Sequence, residues 1–320
     1  MGDKSHICIY EQGSISQVAG VHPRQLRNRP DGTIALEDIR AAIRPVALPG
    51  HLEACHPLDD HFPVTRVICV ENTHNKCGGR VLPLAYMAEV HALAQEHGVK
   101  VHLDGARVMN ACVALSASPA ELAAHADSVT MCLSKALGAP VGSVVVGDRA
   151  FINRARRARK VLGGALRQAG VLAAPALLAL REMANHLPQD HANARALAVG
   201  LNRLPGFAVD LDAVESNMVY ADLAEPVAAE VVRALERRGI LIGSIDERQV
   251  RAATHHQVSP STSPAPSPPL PPAPASSSAA PRRPRRRTRR RRRSRRRRGG
   301  RKGPAAREGV GREEVGGQKK

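Results

Sequence analysis

An α/β architecture is what this chain predicts: a mostly parallel sheet covered on both faces, followed by a smaller C-terminal α+β domain. Three observations carry that reading. Short apolar runs alternate with helix-length segments between Arg66 and Gly147, the pattern of parallel strands joined by crossover helices. Longer helical segments and a second group of short strands follow, from about Arg167 to Val258. Beyond Val258 the composition changes abruptly to one that cannot bury a core.

The elements follow in order. The chain opens almost at once on the apolar run Ile7-Cys8-Ile9-Tyr10, read as strand, so the first domain is expected to begin in mid-strand. "RVICV" (Arg66–Val70) reads as a buried strand. "PLAYMAEVHALAQEHG" (Pro83–Gly98) reads as a helix, with Pro83 near its first position and Gly98 just past its end. Leu84, Met87, His91 and Ala94 would then share one stripe. "VKVHL" is a strand ending at Asp104, "ELAAHA" a short helix, and "SVTMCL" (Ser128–Leu133) and "SVVVG" (Ser143–Gly147) are strands. Helices are expected at about Ala150–Leu162, Gln168–Leu187 and His191–Leu204, the second bent at Pro175. "FAVDL", "NMVYADL", the helix "AAEVVRALERRG" and "ILIGSI" form a βαβ-like end. The expected divisions are 1–166, 167–258 and a tail, 259–320.

The formal charge is +18 over 320 residues, but it is concentrated. Residues 259–320 hold 20 Lys and Arg against three Asp and Glu, whereas residues 1–258 hold 27 against 26. The body is therefore nearly neutral and the basicity belongs to the tail. That tail opens on "SPSTSPAPSPPLPPAPASSSAAP", an extended, disordered linker by composition. Arg282–Arg298 then carries 14 arginines in 17 positions. Such a run binds phosphate backbones by counterion release and has the composition of a nuclear-localisation patch. It lacks the interleaved aromatics that base stacking needs, and it reads more simply as a solvated polycation without a role. Six cysteines without a CxxC pair suit free thiols in a reducing compartment. No run approaches the roughly 18 apolar residues of a membrane span, and "MGDKSH" is neither a signal nor a transit peptide. No membrane partner is expected, and the expected location is cytoplasmic, with the Arg-rich tail as an alternative nuclear address.

In open α/β sheets, ligands sit outside the carboxyl ends of the strands. Asp104 stands at one such end, followed by Gly105, Ala106 and Arg107; Ser134 and Lys135 stand at the next, followed by the small residues Gly138, Ala139 and Gly142. A lysine in a confined site has a lowered pKa and attacks carbonyl carbons. A carboxylate on the neighbouring strand can pair with a pyridinium nitrogen. Together these are the protein's part in pyridoxal phosphate (PLP) chemistry. Taken singly, each has a plainer reading: a strand-end Asp caps a turn, and a Lys after a strand is solvated.

"HLDGAR" (His102–Arg107), "SVTMCLSKALGAPVGS" (Ser128–Ser143), "RARRARKVLGGALRQAG" (Arg154–Gly170) and "ENTHN" (Glu71–Asn75) together resemble the low-specificity L-threonine aldolases. The resemblance runs, with interruptions, from about Gly2 to Val258. It implies the PLP-dependent transferase fold of type I, and PLP-dependent cleavage of threonine or allo-threonine to glycine and acetaldehyde. Residue by residue, Lys135 matches the Schiff-base lysine, Asp104 the partner of the pyridine nitrogen, and Arg107 an arginine near cofactor and substrate carboxylate. His6, in "SHICIYEQG", matches a histidine stacked on the ring, and Glu11 an active-site acid. His61, in "DDHFP", matches a histidine near the substrate hydroxyl, and Arg251 the clamp on the substrate carboxylate. Lys160 and Arg167 match basic residues reaching the cofactor phosphate from a neighbouring subunit, which implies a homo-oligomer, a tetramer built from dimers. His74 and Glu71 are expected to organise the loop after their strand.

The chain also departs from the pattern. The family's N-terminal segment, with the loop that cradles the phosphate at a helix N-terminus, is expected to be absent, as is its last helix, so the fold is expected to be truncated at both ends. "VALPGHLEACHPL" (Val46–Leu58) looks inserted; its His51, Cys55 and His56 read as incidental rather than as metal ligands. Two alternatives stay open: an inactive truncated form whose Arg-rich tail binds nucleic acid, and a PLP-dependent lyase with another reaction, such as β-elimination.

Overall fold

A computed structural model describes residues 1–44 and 62–258. The inserted segment around 46–58, His61 and the tail 259–320 lie outside the described residues. The N-terminal segment holds three short helices, α1 (His6–Ile9), α2 (Ser14–Gln17) and α3 (Leu36–Ala42). The apolar run Ile7–Tyr10, expected as strand, is therefore mostly helix. Among the described residues no neighbouring strand offers it a ladder; instead Ile9 N–H donates to Ser5 O and Tyr10 N–H to His6 O. The His6 N–H, an orphan donor of the first turn, goes to the Glu71 carboxylate.

The main sheet has the order β1 (Val67–Glu71), β2 (Lys100–Asp104), β3 (Ser128–Cys132), β4 (Ser143–Gly147). The first three are parallel and β4 is antiparallel to β3, so the mostly parallel α/β expectation holds. Between β1 and β2 runs α4 (Leu84–Glu96), with Pro83 at its N-cap and Gly98 turning left-handed after it. Its buried face is Met87, Val90, Leu93 and Ala94. The expected stripe shared only Met87 and Ala94 with it; the true face is rotated, leaving His91 half-buried beside Gln95. Helix α5 (Val108–Leu115) and α6 (Pro119–Ala123) join β2 to β3, and Ser118 with Glu121 closes a capping box at the start of α6. Ile68, Val70, Val101 and Leu103 from β1 and β2 pack with the buried residues of α4 and α5 into one core.

Next come α7 (Arg149–Val161), α8 (Gly170–Arg181) and α9 (Leu187–Leu201). The helix expected over Gln168–Leu187 is broken, though not at Pro175, which lies inside α8. The break falls at Glu182, where a short 3-10 turn over Met183–His186 leads into α9. Pro188 in the first turn of α9 explains the restart: its missing N–H costs nothing there. A second sheet has the order β5 (Phe207–Ala208), β6 (Met218–Leu223), β8 (Gln249–Ala253), β7 (Gly243–Ser244), all antiparallel. The βαβ-like end is thus corrected. Helix α10 (Ala228–Glu236) links β6 to β7, but β8 lies between those strands. "ILIGSI" contributes only two strand residues, and β8 was not expected at all. No helix among the described residues is long and apolar enough to cross a membrane.

One buried charge on α9 yields a prediction. Asp190 is 1% exposed and its Oδ2 has no partner. Burial, opposed by the nearby His255 and His186, raises its pKa from 3.8 to about 6. The native chain therefore holds this proton more tightly than the unfolded one. The contribution is fully present below 3.8 and is lost as pH rises through about 6. Asp190→Asn keeps the shape without the charge. Thermal unfolding should find the variant more stable by roughly 1–3 kcal/mol at pH well above 6, with the difference vanishing in acid.

Candidate active site

Strands β1, β2 and β3 end side by side, and their last residues and following loops form the site. Glu71 and Asp104 are register partners at the ends of β1 and β2. Asp104 is buried, accepts one hydrogen bond from Ala106 N–H at 3.3 Å, and makes no ion pair among the described residues. A carboxylate in that setting lacks the cation that usually offsets its burial. Gly105 is required by packing: a Cβ there would stand 2.7 Å from the Thr130 carbonyl oxygen of β3. Arg107 occupies the N-cap position of α5.

Lys135 lies on the loop after β3. Buried Leu133, Ala136, Leu137 and Ala139 anchor that loop on either side of it, and Gly138 N–H donates to the Lys135 carbonyl at 2.9 Å. The backbone is thus fixed while the residue as a whole stays exposed. Arg107, Met131, Cys132 and Lys135 line one small cavity. The Lys135 pKa is lowered, first by partial burial and then by the Arg107 cation, with Cys132, Asp104 and Glu71 pulling the other way. The result is a lysine amine more readily deprotonated than a solvated one, beside an unpaired carboxylate.

A second group faces the first. Glu71 is 5% exposed. Its Oε2 accepts the His6 N–H at 2.6 Å and its Oε1 the Asn75 N–H at 2.9 Å. Burial raises its pKa despite those two bonds. His6 Nδ1 lies 2.8 Å from Glu11 Oε1, which fixes the ring and leaves its other nitrogen free. Arg251, on β8, donates to Asn75 Oδ1 at 3.0 Å, and Tyr220, opposite it on β6, donates to the Asn75 carbonyl at 2.5 Å. Burial, and then the Arg251 cation, lowers the Arg107 pKa.

The structure thus brings Lys135, Asp104, Arg107, His6, Glu11 and Arg251 to the ends of β1–β3 or to residues bonded there. Lys160 and Arg167 are exposed and make no hydrogen bond or ion pair with this group. His61 lies outside the described residues. His74 is fully buried, with neither ring nitrogen partnered among the described residues and a pKa lowered to about 4; it packs against Gly32. The residues that sequence reasoning missed are Asn75 and Tyr220. Tyr220 reads as one member of an alternating strand, and only its pairing with Arg251 reveals it.

Comparison with known proteins speaks to family and fold. The family model described as β-eliminating lyase matches residues 1–224. Low-specificity L-threonine aldolase 1 of Arabidopsis thaliana is 46% identical over 265 residues, covering 82% of this chain and 71% of that protein. The low specificity L-threonine aldolase of Escherichia coli is 35% identical over 259 residues, covering 81% and 72%. Among solved structures, Leishmania major threonine aldolase superposes with a TM-score of 0.61 at 19% identity, covering 79% of this chain and 70% of that one. At that identity the likeness speaks for the fold.

Proposed function

The chain belongs to the low-specificity L-threonine aldolases within the β-eliminating lyase family, and from that premise we propose that it cleaves β-hydroxy-α-amino acids such as threonine to glycine and an aldehyde, with PLP. The single observation that carries the proposal is the lysine of lowered pKa beside a buried, unpaired aspartate at adjacent strand ends.

The residues present fit the cofactor. Asp104, buried without a cation, suits a protonated pyridine nitrogen, and Lys135 suits the aldehyde carbon. When bound, PLP supplies the electron sink that makes cleavage of the Cα–Cβ bond feasible. The chain's own residues do the rest. Arg251 and Arg107 bind the substrate carboxylate through charge-assisted hydrogen bonds. Asp104 keeps a positive charge on the ring nitrogen. Glu11 orients His6, whose free nitrogen can hold the proton of a hydroxyl or a water. His61 is proposed for the same proton. Lys160 and Arg167 would serve a neighbouring copy.

A homo-oligomer belongs to the proposal, and a tetramer is its specific form. It is supported by apolar side chains left open on β4, α7 and α8, with Val146 50%, Val161 85% and Val171 77% exposed. A cytoplasmic location and non-specific nucleic-acid binding by the tail are lesser parts of it, supported by the unpaired cysteine spacing and the arginine run.

Threonine cleavage is tested by measuring acetaldehyde and pyruvate side by side from protein supplied with PLP, threonine or serine. Acetaldehyde from threonine supports the aldolase reading. Pyruvate from serine without acetaldehyde overturns it in favour of β-elimination.

A further inference from the structure

Three side chains hold one residue of the loop after β1. Asn75 donates its N–H to Glu71, its carbonyl accepts from the Tyr220 hydroxyl and from Gly78 N–H, and its side-chain oxygen accepts from Arg251 at 3.0 Å and from the Tyr220 hydroxyl at 3.3 Å. Two of these partners come from the second sheet, 145 and 176 residues away in sequence. The third partner, Glu71, holds His6 with its other oxygen. Asn75 is therefore the point at which the loop after β1, the N-terminal segment and the second sheet meet.

We propose that Asn75 is a positioning residue: a neutral acceptor that aims the Arg251 guanidinium at the substrate carboxylate without neutralising it. The proposal rests on the reading that Arg251 receives that carboxylate. The chemistry favours an amide here. A free guanidinium on a long side chain loses rotamer freedom when it binds, and prior orientation removes that cost. A carboxylate at position 75 would orient Arg251 equally well, but as an ion pair, occupying the charge that a ligand needs. Arg251 makes no ion pair among the described residues. An aspartate at 75 would also bring a second carboxylate against Glu71. An amide orients without competing.

This assigns an unusual order to two substitutions. Asp is nearly the shape of Asn, so a purely structural role would make Asn75→Asp the milder change and Asn75→Ala the harsher. Competition for Arg251 reverses that order. The experiment titrates glycine into PLP-loaded wild-type, Asn75→Asp and Asn75→Ala proteins, following the visible spectrum, with PLP affinity measured separately on each apoprotein. Asn75→Asp should weaken glycine binding by roughly tenfold or more, and Asn75→Ala by only about threefold, with PLP affinity of both within about twofold of wild type. Tyr220→Phe removes, without changing charge, the hydroxyl that holds the Asn75 carbonyl and side-chain oxygen and contacts Arg251. It should weaken glycine binding by about threefold, and it serves if either position-75 variant fails to fold. Glycine affinity of Asn75→Asp equal to wild type, or weaker binding by Asn75→Ala than by Asn75→Asp, overturns the inference. So does glycine binding by Tyr220→Phe that equals wild type. A wild-type protein that takes up PLP but shows no response to glycine removes the aldolase reading, and this inference falls with it.

Discussion

Asp104→Asn is expected to lower kcat for threonine cleavage by roughly 10²–10³-fold while leaving the fold intact, because a preorganised charge is removed where positive charge must be held. Asp104 is buried and unpaired, so replacing it with the neutral amide removes a buried charge and should not cost stability. The substitution has a second signature. Asp104 is among the groups that raise the Lys135 pKa against burial and Arg107. Without it the Lys135 amine of the cofactor-free protein should titrate at still lower pH, so the pH dependence of PLP uptake, followed by absorbance, should move in the acid direction. Steady-state kinetics and a pH series of spectra check both. A kcat within about threefold of wild type would contradict the role assigned to Asp104.

Leu103→Ala, one residue earlier, should show the opposite division. Leu103 is fully buried in the core that β1 and β2 share with α4 and α5. Truncation should cost about 3–5 kcal/mol, a large part of the roughly 5–15 kcal/mol that holds a native domain together. Urea unfolding should show a lowered midpoint with an unchanged slope, and the surviving folded protein should keep its kcat. Adjacent side chains on β2 point to opposite faces. One therefore serves the core and the other the strand end where the site lies.

Much of this was legible in the sequence, for reasons that can be named. Strands β1–β4 are short apolar runs bounded by polar or glycine-containing turns, so periodicity located them within a residue or so. The strand-end rule then pointed to Asp104 and Lys135, and the resemblance supplied His6, Glu11, Arg107 and Arg251. What failed depended on partners distant in the chain. Ile7–Tyr10 has strand composition, but among the described residues no strand pairs with it, and Glu71, 65 residues away, takes the first-turn N–H of α1. β8, "QVRAA", has a weak apolar pattern and exists because β6 and β7 flank it. The antiparallel order of the second sheet could not be read from a strand-helix-strand succession. Asn75 was visible only as part of a loop motif; its bonds to Tyr220 and Arg251 need the folded chain.

The central claim is that the ends of β1–β3 form a PLP site built on Lys135. Its most direct test is the visible absorption spectrum of the purified protein mixed with PLP, comparing wild type with Lys135→Ala. The account predicts a long-wavelength band that appears in wild type, is absent from Lys135→Ala, and changes when glycine is added. No band in wild type, or an equal band in Lys135→Ala, would contradict it.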